Sequence, residues 1–146
     1  MENSKYSQYI VQQLRLPESR GTERKENSGA AKKILWMDDD IVKGAFQMNC
    51  TWFLRPPEKR PIESTFHKHN ANELLGAFSG DPEQPNDLGA ELEFWMEDEK
   101  FIITKSSMIF IPQGMRHSPL IVNTIDRPVF HFSTLTDGHY LWVPIK

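Results

Sequence analysis

The chain has 146 residues and a formal net charge of −3, and charged side chains make up 25% of it. This length is typical of a single domain that buries its own hydrophobic core without disulfides or a structural metal. Because acidic and basic residues are mixed along the sequence and form no basic block, nucleic acid is not an expected partner.

Cysteine use and hydropathy indicate the compartment. Cys50 is the single cysteine, so no intrachain disulfide can form and a reducing environment fits best. Residues 1–20 lack the uninterrupted apolar stretch of a signal peptide, and no run reaches the length of a membrane span, about 18 apolar residues. We therefore expect a cytoplasmic protein with no membrane partner.

The first part of the chain is predicted to be an arm outside the folded domain. Apolar residues spaced four apart predict a short amphipathic helix over Tyr6–Leu16, which ends before Pro17. Residues 17–33 are polar and charged, a composition that buries little apolar surface and is typical of a linker. We place the arm and linker at residues 1–33 and the folded domain at residues 34–146.

After residue 33 the sequence consists of short runs rich in Phe, Ile, Trp and Thr, separated by Pro, Gly, Asn and Asp. This pattern predicts many short strands and an all-β barrel or sandwich. The predicted strands are Ile34–Met37, Phe46–Leu54, Glu63–His69, Glu73–Ser79, Ala90–Met96, Lys100–Thr104, Met108–Ile111, Ser118–Asn123, Val129–Thr134 and Tyr140–Val143.

Two local patterns of histidine point to a metal site. On a strand, His67 and His69 project from the same face, and the turn-like sequence after them can bring Glu73 beside the two imidazoles. In the second pattern, Pro112 and Gly114 favour a tight turn that places His117 at the start of the next strand. Imidazole and carboxylate ligands together suit one divalent transition metal such as Fe, Mn, Ni or Zn.

These two patterns resemble the motifs of the cupin superfamily, His-x-His followed by Glu and Gly, and Pro-x-Gly-x-x-His. The matching residues are His67, His69, Glu73 and Gly80 in the first motif, and Pro112, Gly114 and His117 in the second. The chain departs from the family at turn and packing positions, where Pro61 and Ser106 replace glycines and Ile121 replaces an asparagine. The resemblance implies a double-stranded β-helix (a jelly-roll barrel), commonly dimeric, with the metal inside the barrel.

Other candidate residues have simpler explanations. His131 alternates with Val129 and Ser133 on a predicted strand, so a hydrogen-bonded core histidine is favoured over a catalytic acid or base. His139 follows a turn signal and is expected at the surface or an interface, and Cys50 is expected to be a buried, inert thiol. Core filling is the default for the aromatic residues, and solvent exposure for Arg55 and Arg116.

The predicted site favours a metalloenzyme that acts on a small oxygen-bearing organic substrate, with dioxygenase- or decarboxylase-like chemistry. Three histidines would hold the ion, and Glu73 would be a ligand that can also accept a proton as a catalytic group. The alternatives are a non-catalytic module that binds a metal and a small ligand, a nonredox isomerase or hydrolase, and a purely structural ion. The expected partners are a small-molecule substrate or ligand and a second copy of the chain in a homodimer.

Overall fold

The computed structural model describes residues 4–17, 29–59 and 66–143. Over these ranges the structure is almost entirely β, which confirms the all-β prediction, and its one helix is a 3-10 turn at Ser7–Tyr9. The strands are β1 (Ala31–Met37), β2 (Gln47–Phe53), β3 (Glu73–Ser79), β4 (Asp87–Met96), β5 (Glu99–Lys105), β6 (Ser107–Ile111), β7 (Ile121–Ile125) and β8 (Val129–Leu135).

The strands form two antiparallel sheets that enclose the core. The larger sheet has the order β1-β2-β8-β3-β6 and the smaller one the order β5-β4-β7. Side chains alternate between the two faces of each strand, so that every second residue points inward. Leu88 and Leu92 of β4 are fully buried against Val129 of β8, and Phe94 packs with Leu75 and Ile111. The core therefore lies between the sheets, as in a barrel that encloses its interior.

The predicted helix over Tyr6–Leu16 is wrong, because the structure has only a single 3-10 turn there. One apolar residue per turn gives too narrow a stripe to hold a helix against the barrel. Tyr6 and Ile10 are exposed, whereas Leu14 and Leu16, two positions apart, both reach the barrel interior. This spacing is typical of extended chain. Among the described residues no helix is long and apolar enough to cross a membrane.

Two of the predicted strands form only isolated β-bridges in the structure. Residues 63–65 of the predicted strand Glu63–His69 lie outside the described ranges, and the rest pairs only at His67 and Lys68. In the predicted strand Tyr140–Val143, only Val143 pairs, with Lys68. In the larger sheet, β1 begins at Ala31, earlier than the predicted Ile34.

Several aromatic residues assigned by default to the core lie outside it. They occupy the outer face of the five-stranded sheet, where Phe78 stacks on Phe132 and Phe130 packs edge-on against Trp52. Phe110 on β6 is 58% exposed. Sequence alternation places these residues opposite the inward-facing positions, so the outer face of this sheet is unusually apolar for a surface.

Candidate metal centre

The four predicted ligands converge in the structure. His67 and His117 pair as neighbouring strands, and each backbone N–H donates to the carbonyl of the other at 2.9 Å. His117 also pairs with Met96 at the end of β4, so both histidine segments continue the smaller sheet. Glu73 begins β3 of the larger sheet. The site therefore lies inside the barrel, between the two sheets.

The two motif turns are hydrogen-bonded to each other. The Gln113 backbone N–H donates to Asn72 Oδ1 at 2.8 Å, and the Gly114 N–H donates to the His69 carbonyl at 2.9 Å. Gly114 has a φ of 84°, a left-handed conformation that glycine adopts without strain. These bonds set the distance between the turn after His69 and the turn before His117, and this explains why both motifs are needed to form the site.

Glu73 bridges two of the imidazoles. Its Oε2 lies 3.2 Å from His69 Nε2, and its Oε1 lies 3.3 Å from His117 Nε2. Burial raises the pKa of the Glu73 carboxyl, but the adjacent His117 and His69 rings outweigh burial and lower that pKa to about 2. Glu73 is therefore ionised at neutral pH although it is only 3% exposed.

Hydrogen bonds to the backbone set the tautomers of two ligands. The carbonyl of Leu141 accepts from His69 Nδ1 at 2.6 Å, and the carbonyl of Met115 accepts from His117 Nδ1 at 2.9 Å. A carbonyl can only accept, so both Nδ1 atoms carry a proton, and the Nε2 atoms, which face the centre of the site, are the ones that would bind a metal ion. Metal-ligating histidines are held in this way in proteins.

The donor set fits a metal ion. His67, His69 and His117 are all buried, and one ring nitrogen from each lies within 4.8 Å of the others. Within the part of the chain that the structure describes, His69 Nε2, His117 Nε2 and Glu73 Oε2 are buried without a hydrogen-bond partner. Buried polar atoms without partners are costly, and several of them facing one point are readily explained by a shared cation. Three imidazoles and a carboxylate suit a divalent transition metal.

A C-terminal segment that sequence reasoning did not connect with the site packs directly on it. The Trp142 ring stacks on His67, and the Tyr140 ring lies 4.9 Å from that of His69. Tyr140 and Trp142 are two positions apart in the sequence, as are His67 and His69. This i, i+2 pattern could have indicated that the two pairs face each other, although it could not show which segments are neighbours.

A pocket of about 740 Å³ adjoins the candidate ligands inside the barrel. His67, Glu73 and His117 form one end of it. Its walls combine apolar and polar side chains, among them Leu75, Leu120, Ile121, Val122, Asn49, Thr51 and Ser133. A pocket of this size holds a ligand considerably larger than a metal-bound water.

His131 lines this pocket. Its Nδ1 donates to the Gly76 carbonyl at 2.8 Å, and its ring stacks on Phe53 with centroids 4.8 Å apart. Burial lowers the pKa of His131 to about 4, against a smaller opposing effect of the Gly76 hydrogen bond. The ring is therefore neutral at pH 7, and its Nε2 is available as an acceptor. The predicted hydrogen-bonded histidine is thus found, at the wall of a pocket.

The remaining candidates lie away from the predicted ligands. His139 is 3.9 Å from carboxylate oxygens of both Asp39 and Asp40, at the surface. The neighbouring Asp38 also lies near His139, but its oxygens accept hydrogen bonds from the Trp36 indole and from backbone N–H groups. This cluster is accounted for by turn structure.

Cys50 and the two arginines have structural surroundings. Cys50 is half-buried, and this burial raises the pKa of its thiol. A raised pKa makes a thiol unreactive. The Arg116 guanidinium lies over the Phe66 ring at 4.3 Å. Arg55 is 3.8 Å from Glu58 and also lines the pocket.

Comparison with known proteins supports the fold. No protein-family model matches the chain, and neither does any curated protein. Among solved structures, oxalate oxidase in complex with the substrate analogue glycolate superposes with a TM-score of 0.58 at 14% identity, over 99% of this chain and 67% of that chain. Recombinant oxalate oxidase with glycolate gives a TM-score of 0.57 at 12% identity, over 97% and 66% of the two chains. This protein thus spans about two thirds of the length of those chains.

A cupin of the RmlC-like type from Shewanella frigidimarina matches with a TM-score of 0.44 at 13% identity, over 73% of this chain and 76% of that chain. The two-sheet barrel superposes on that of oxalate oxidase, and at this level of identity the similarity shows the fold. The chain has the cupin fold. The fold that the two sequence motifs implied is confirmed.

Proposed function

We propose that this protein is a metal-dependent cupin enzyme. His67, His69, Glu73 and His117 hold one divalent transition metal, Fe, Mn, Ni or Zn, and a small oxygen-bearing organic substrate binds in the adjoining pocket. When bound, such an ion polarises substrate oxygens or exchanges electrons with dioxygen, the chemistry of decarboxylase- and dioxygenase-like reactions. The observation that carries the proposal is the convergence of buried imidazole and carboxylate atoms on one point at the end of a pocket.

The pocket favours a substrate site over a structural ion. Structural metal sites close their coordination sphere with protein ligands and need no adjoining space. Here about 740 Å³ opens onto three of the four proposed ligands. The oxalate oxidase structures contain glycolate, a small hydroxy acid, and this supports an oxygen-bearing acid as the type of substrate. A nonredox enzyme and a binding module would share the same ligands.

The proposed roles follow from the ionisation of the side chains. A carboxyl group with a pKa of about 2 is a weak base, so Glu73 is better suited to bind the cation than to remove a proton from substrate. The Nε2 atom of neutral His131 can accept a hydrogen bond from a substrate hydroxyl. His131 Nδ1 is engaged by the Gly76 carbonyl, and this orients the ring.

The metal content of the purified protein tests this proposal. We expect near-stoichiometric transition metal in the wild type by elemental mass spectrometry, and its loss from His67→Ala, His117→Ala and Glu73→Gln. His139→Ala is the matched control, because His139 is a surface histidine beside carboxylates and is expected to leave the metal content unchanged. Circular dichroism of each variant checks that the barrel is intact.

Two results would contradict the proposal in different ways. A wild-type protein that carries no metal, and binds none on titration, has no metal centre. A protein that holds the metal but neither consumes dioxygen nor converts any of a panel of hydroxy and keto acids is a binding module with the proposed ligand set. Only conversion that disappears with the metal supports the enzymatic part of the proposal.

A further inference from the structure

The inner face of the larger sheet carries two neighbouring rows of uncharged polar side chains, all of which line the pocket. The first polar row is Asn49 of β2 paired with Ser133 of β8, and the second polar row is Thr51 paired with His131. On β3 the partners of these rows lie two and four residues after Glu73. At about 3.4 Å per residue, the rows lie about 7 Å and about 14 Å along the sheet from Glu73. They therefore lead away from the candidate metal centre.

In the first polar row, hydrogen bonds fix the orientation of the Asn49 amide. The backbone N–H of Leu135 donates to Gln47 Oε1 at 3.2 Å, so the other end of the Gln47 amide, Nε2, is the donor that lies 3.0 Å from Asn49 Oδ1. Ser133 Oγ donates to the same Asn49 oxygen at 2.8 Å. Both side-chain hydrogen bonds that Asn49 forms with described residues thus go to its oxygen. Asn49 Nδ2 remains as a donor, and Ser133 Oγ, whose proton is engaged, remains as an acceptor.

The second polar row also places a donor beside an acceptor. His131 Nδ1 donates to the Gly76 carbonyl, and this leaves Nε2 of the ring as an acceptor. The hydroxyl of the neighbouring Thr51 can donate as well as accept. In the described ranges neither His131 Nε2 nor Thr51 Oγ1 is a fully buried atom without a partner, as expected for atoms that face open space in the pocket.

Hydrogen bonding, not charge, determines what this wall of the pocket can recognise. Lys33 and Arg55 also line the pocket, but they have partners within the protein. The Lys33 ammonium lies 5.2 Å from the centre of the Trp36 ring, and Arg55 lies 3.8 Å from Glu58. The polar rows themselves carry no charge at pH 7, because burial keeps His131 neutral.

A donor beside an acceptor matches a hydroxyl group, which donates one hydrogen bond and accepts others. A carboxylate only accepts, so it would leave the acceptor of each row without a partner, and an ammonium group only donates, so it would do the same to each donor. Buried polar groups without partners are costly. Leu120, Ile121 and Val122 line the pocket from the side of the smaller sheet, and they offer an apolar surface to a carbon skeleton.

We infer that the pocket binds a polyhydroxylated organic acid, whose hydroxyl groups form hydrogen bonds with the first and second polar rows. This inference rests on the proposed function, because it places the acid end of the substrate at the four candidate metal ligands. The residues of the two rows are then specificity residues, which contact the chain of the substrate away from its reacting end.

Binding of matched acids tests this inference. Gluconate, galactonate and mannonate carry a hydroxyl on every carbon after the carboxylate and differ only in stereochemistry. The acid 2-hydroxyhexanoate has the same chain length and the same α-hydroxy acid end, but it lacks the other hydroxyls. By isothermal titration of the metal-loaded protein, we expect at least one of the three sugar acids to bind about tenfold more tightly than 2-hydroxyhexanoate, as expected from more than one added hydrogen bond.

Two variants, each of which removes one hydroxyl, assign this preference to the rows. Ser133→Ala alters the first polar row and Thr51→Val the second. Each should weaken binding of the preferred sugar acid about fivefold, typical of one neutral hydrogen bond, and leave 2-hydroxyhexanoate binding unchanged. Thr51→Ser keeps the hydroxyl and should keep the preference. Thr124→Val, at an exposed position of β7, is the matched control and should bind like the wild type.

The outcomes separate this inference from the proposed function. The inference is overturned if no sugar acid binds more tightly than 2-hydroxyhexanoate, or if either Ser133→Ala or Thr51→Val keeps the full wild-type preference, whatever the metal content. A wild type that binds no metal refutes the proposed function instead. In that case the same comparison of acids in the metal-free protein decides whether the polar rows recognise hydroxyl groups.

Discussion

The Trp142 indole lies parallel to the His67 imidazole, with ring centroids 4.1 Å apart and an interplanar angle of 1°. The residues before and after Trp142 both form hydrogen bonds that hold this segment in place. The carbonyl of Leu141 accepts the His69 Nδ1 hydrogen bond, and the Val143 N–H donates to the Lys68 carbonyl at 2.7 Å. This segment therefore orients two candidate metal ligands, and the chain end contributes to a site whose ligands lie far from it in sequence.

Removal of the indole is expected to loosen the metal site. In Trp142→Ala the His67 ring loses its stacking partner and gains rotational freedom, so metal affinity should fall about tenfold, as is typical for groups that orient ligands. Trp142→Phe should retain most of the affinity. Competition with a chelator of known affinity measures the change. Leu141→Ala is the control, because only its carbonyl contacts His69 and its side chain is exposed. Equal affinities in Trp142→Ala and Leu141→Ala would contradict this role.

His131 is expected to make the metal-free protein less stable in mild acid. Its pKa is about 4 in the folded protein, below the ordinary value of 6.5, so between these values the unfolded chain binds a proton that the folded protein does not. The free energy of unfolding therefore falls as pH decreases from 6.5 to 4, by at most roughly 3 kcal/mol from this residue.

Urea unfolding of the metal-free wild type and His131→Gln across this pH range measures that contribution. The glutamine can still donate to the Gly76 carbonyl but does not titrate, so the variant should lose less stability. All other residues are the same in the two proteins, so their contributions cancel in the difference. Parallel stability curves would show that His131 does not contribute.

The sequence predicted the site better than it predicted its surroundings. Strand alternation and turn residues are local properties, and they were enough to bring His67, His69 and Glu73 together and to place His117 after a turn. The packing of Trp142 on His67 depends on which distant segments are neighbours, and no local pattern carries that information.

The same limit explains the errors in the fold. Alternation correctly separated His131 from Phe132, but it could not show that the second face of the sheet lies outside the barrel. The apolar spacing in Tyr6–Leu16 fitted a helix by local criteria. Whether a helix forms there depends on a protein surface that covers the apolar stripe. Of the apolar residues that suggested the helix, only Leu14, together with the neighbouring Leu16, reaches such a surface, the wall of the pocket.

Gly80 is expected to tolerate no side chain. A Cβ atom at this position would lie 2.5 Å from the Pro128 carbonyl oxygen, a backbone atom that cannot move without displacing the start of β8. Gly80→Ala should therefore lower the free energy of unfolding by about 1–3 kcal/mol, as is typical of overpacking. Chemical unfolding measures this change, and a loss within about 0.5 kcal/mol, the range of ordinary surface substitutions, would show that the close approach is not maintained.

The homodimer that the sequence resemblance implies is expected to form through the outer face of the five-stranded sheet. Met108 and Phe110 on its edge strand β6 are 70% and 58% exposed, beside an apolar surface of a kind that marks interaction sites. Light scattering should show a dimer for the wild type and a monomer for Met108→Glu combined with Phe110→Glu, because an unpaired carboxylate is costly to bury. Ile102→Glu, on the exposed part of β5 in the other sheet, should remain dimeric. A monomeric wild type, or a double variant that stays dimeric, would rule out this surface as the dimer interface.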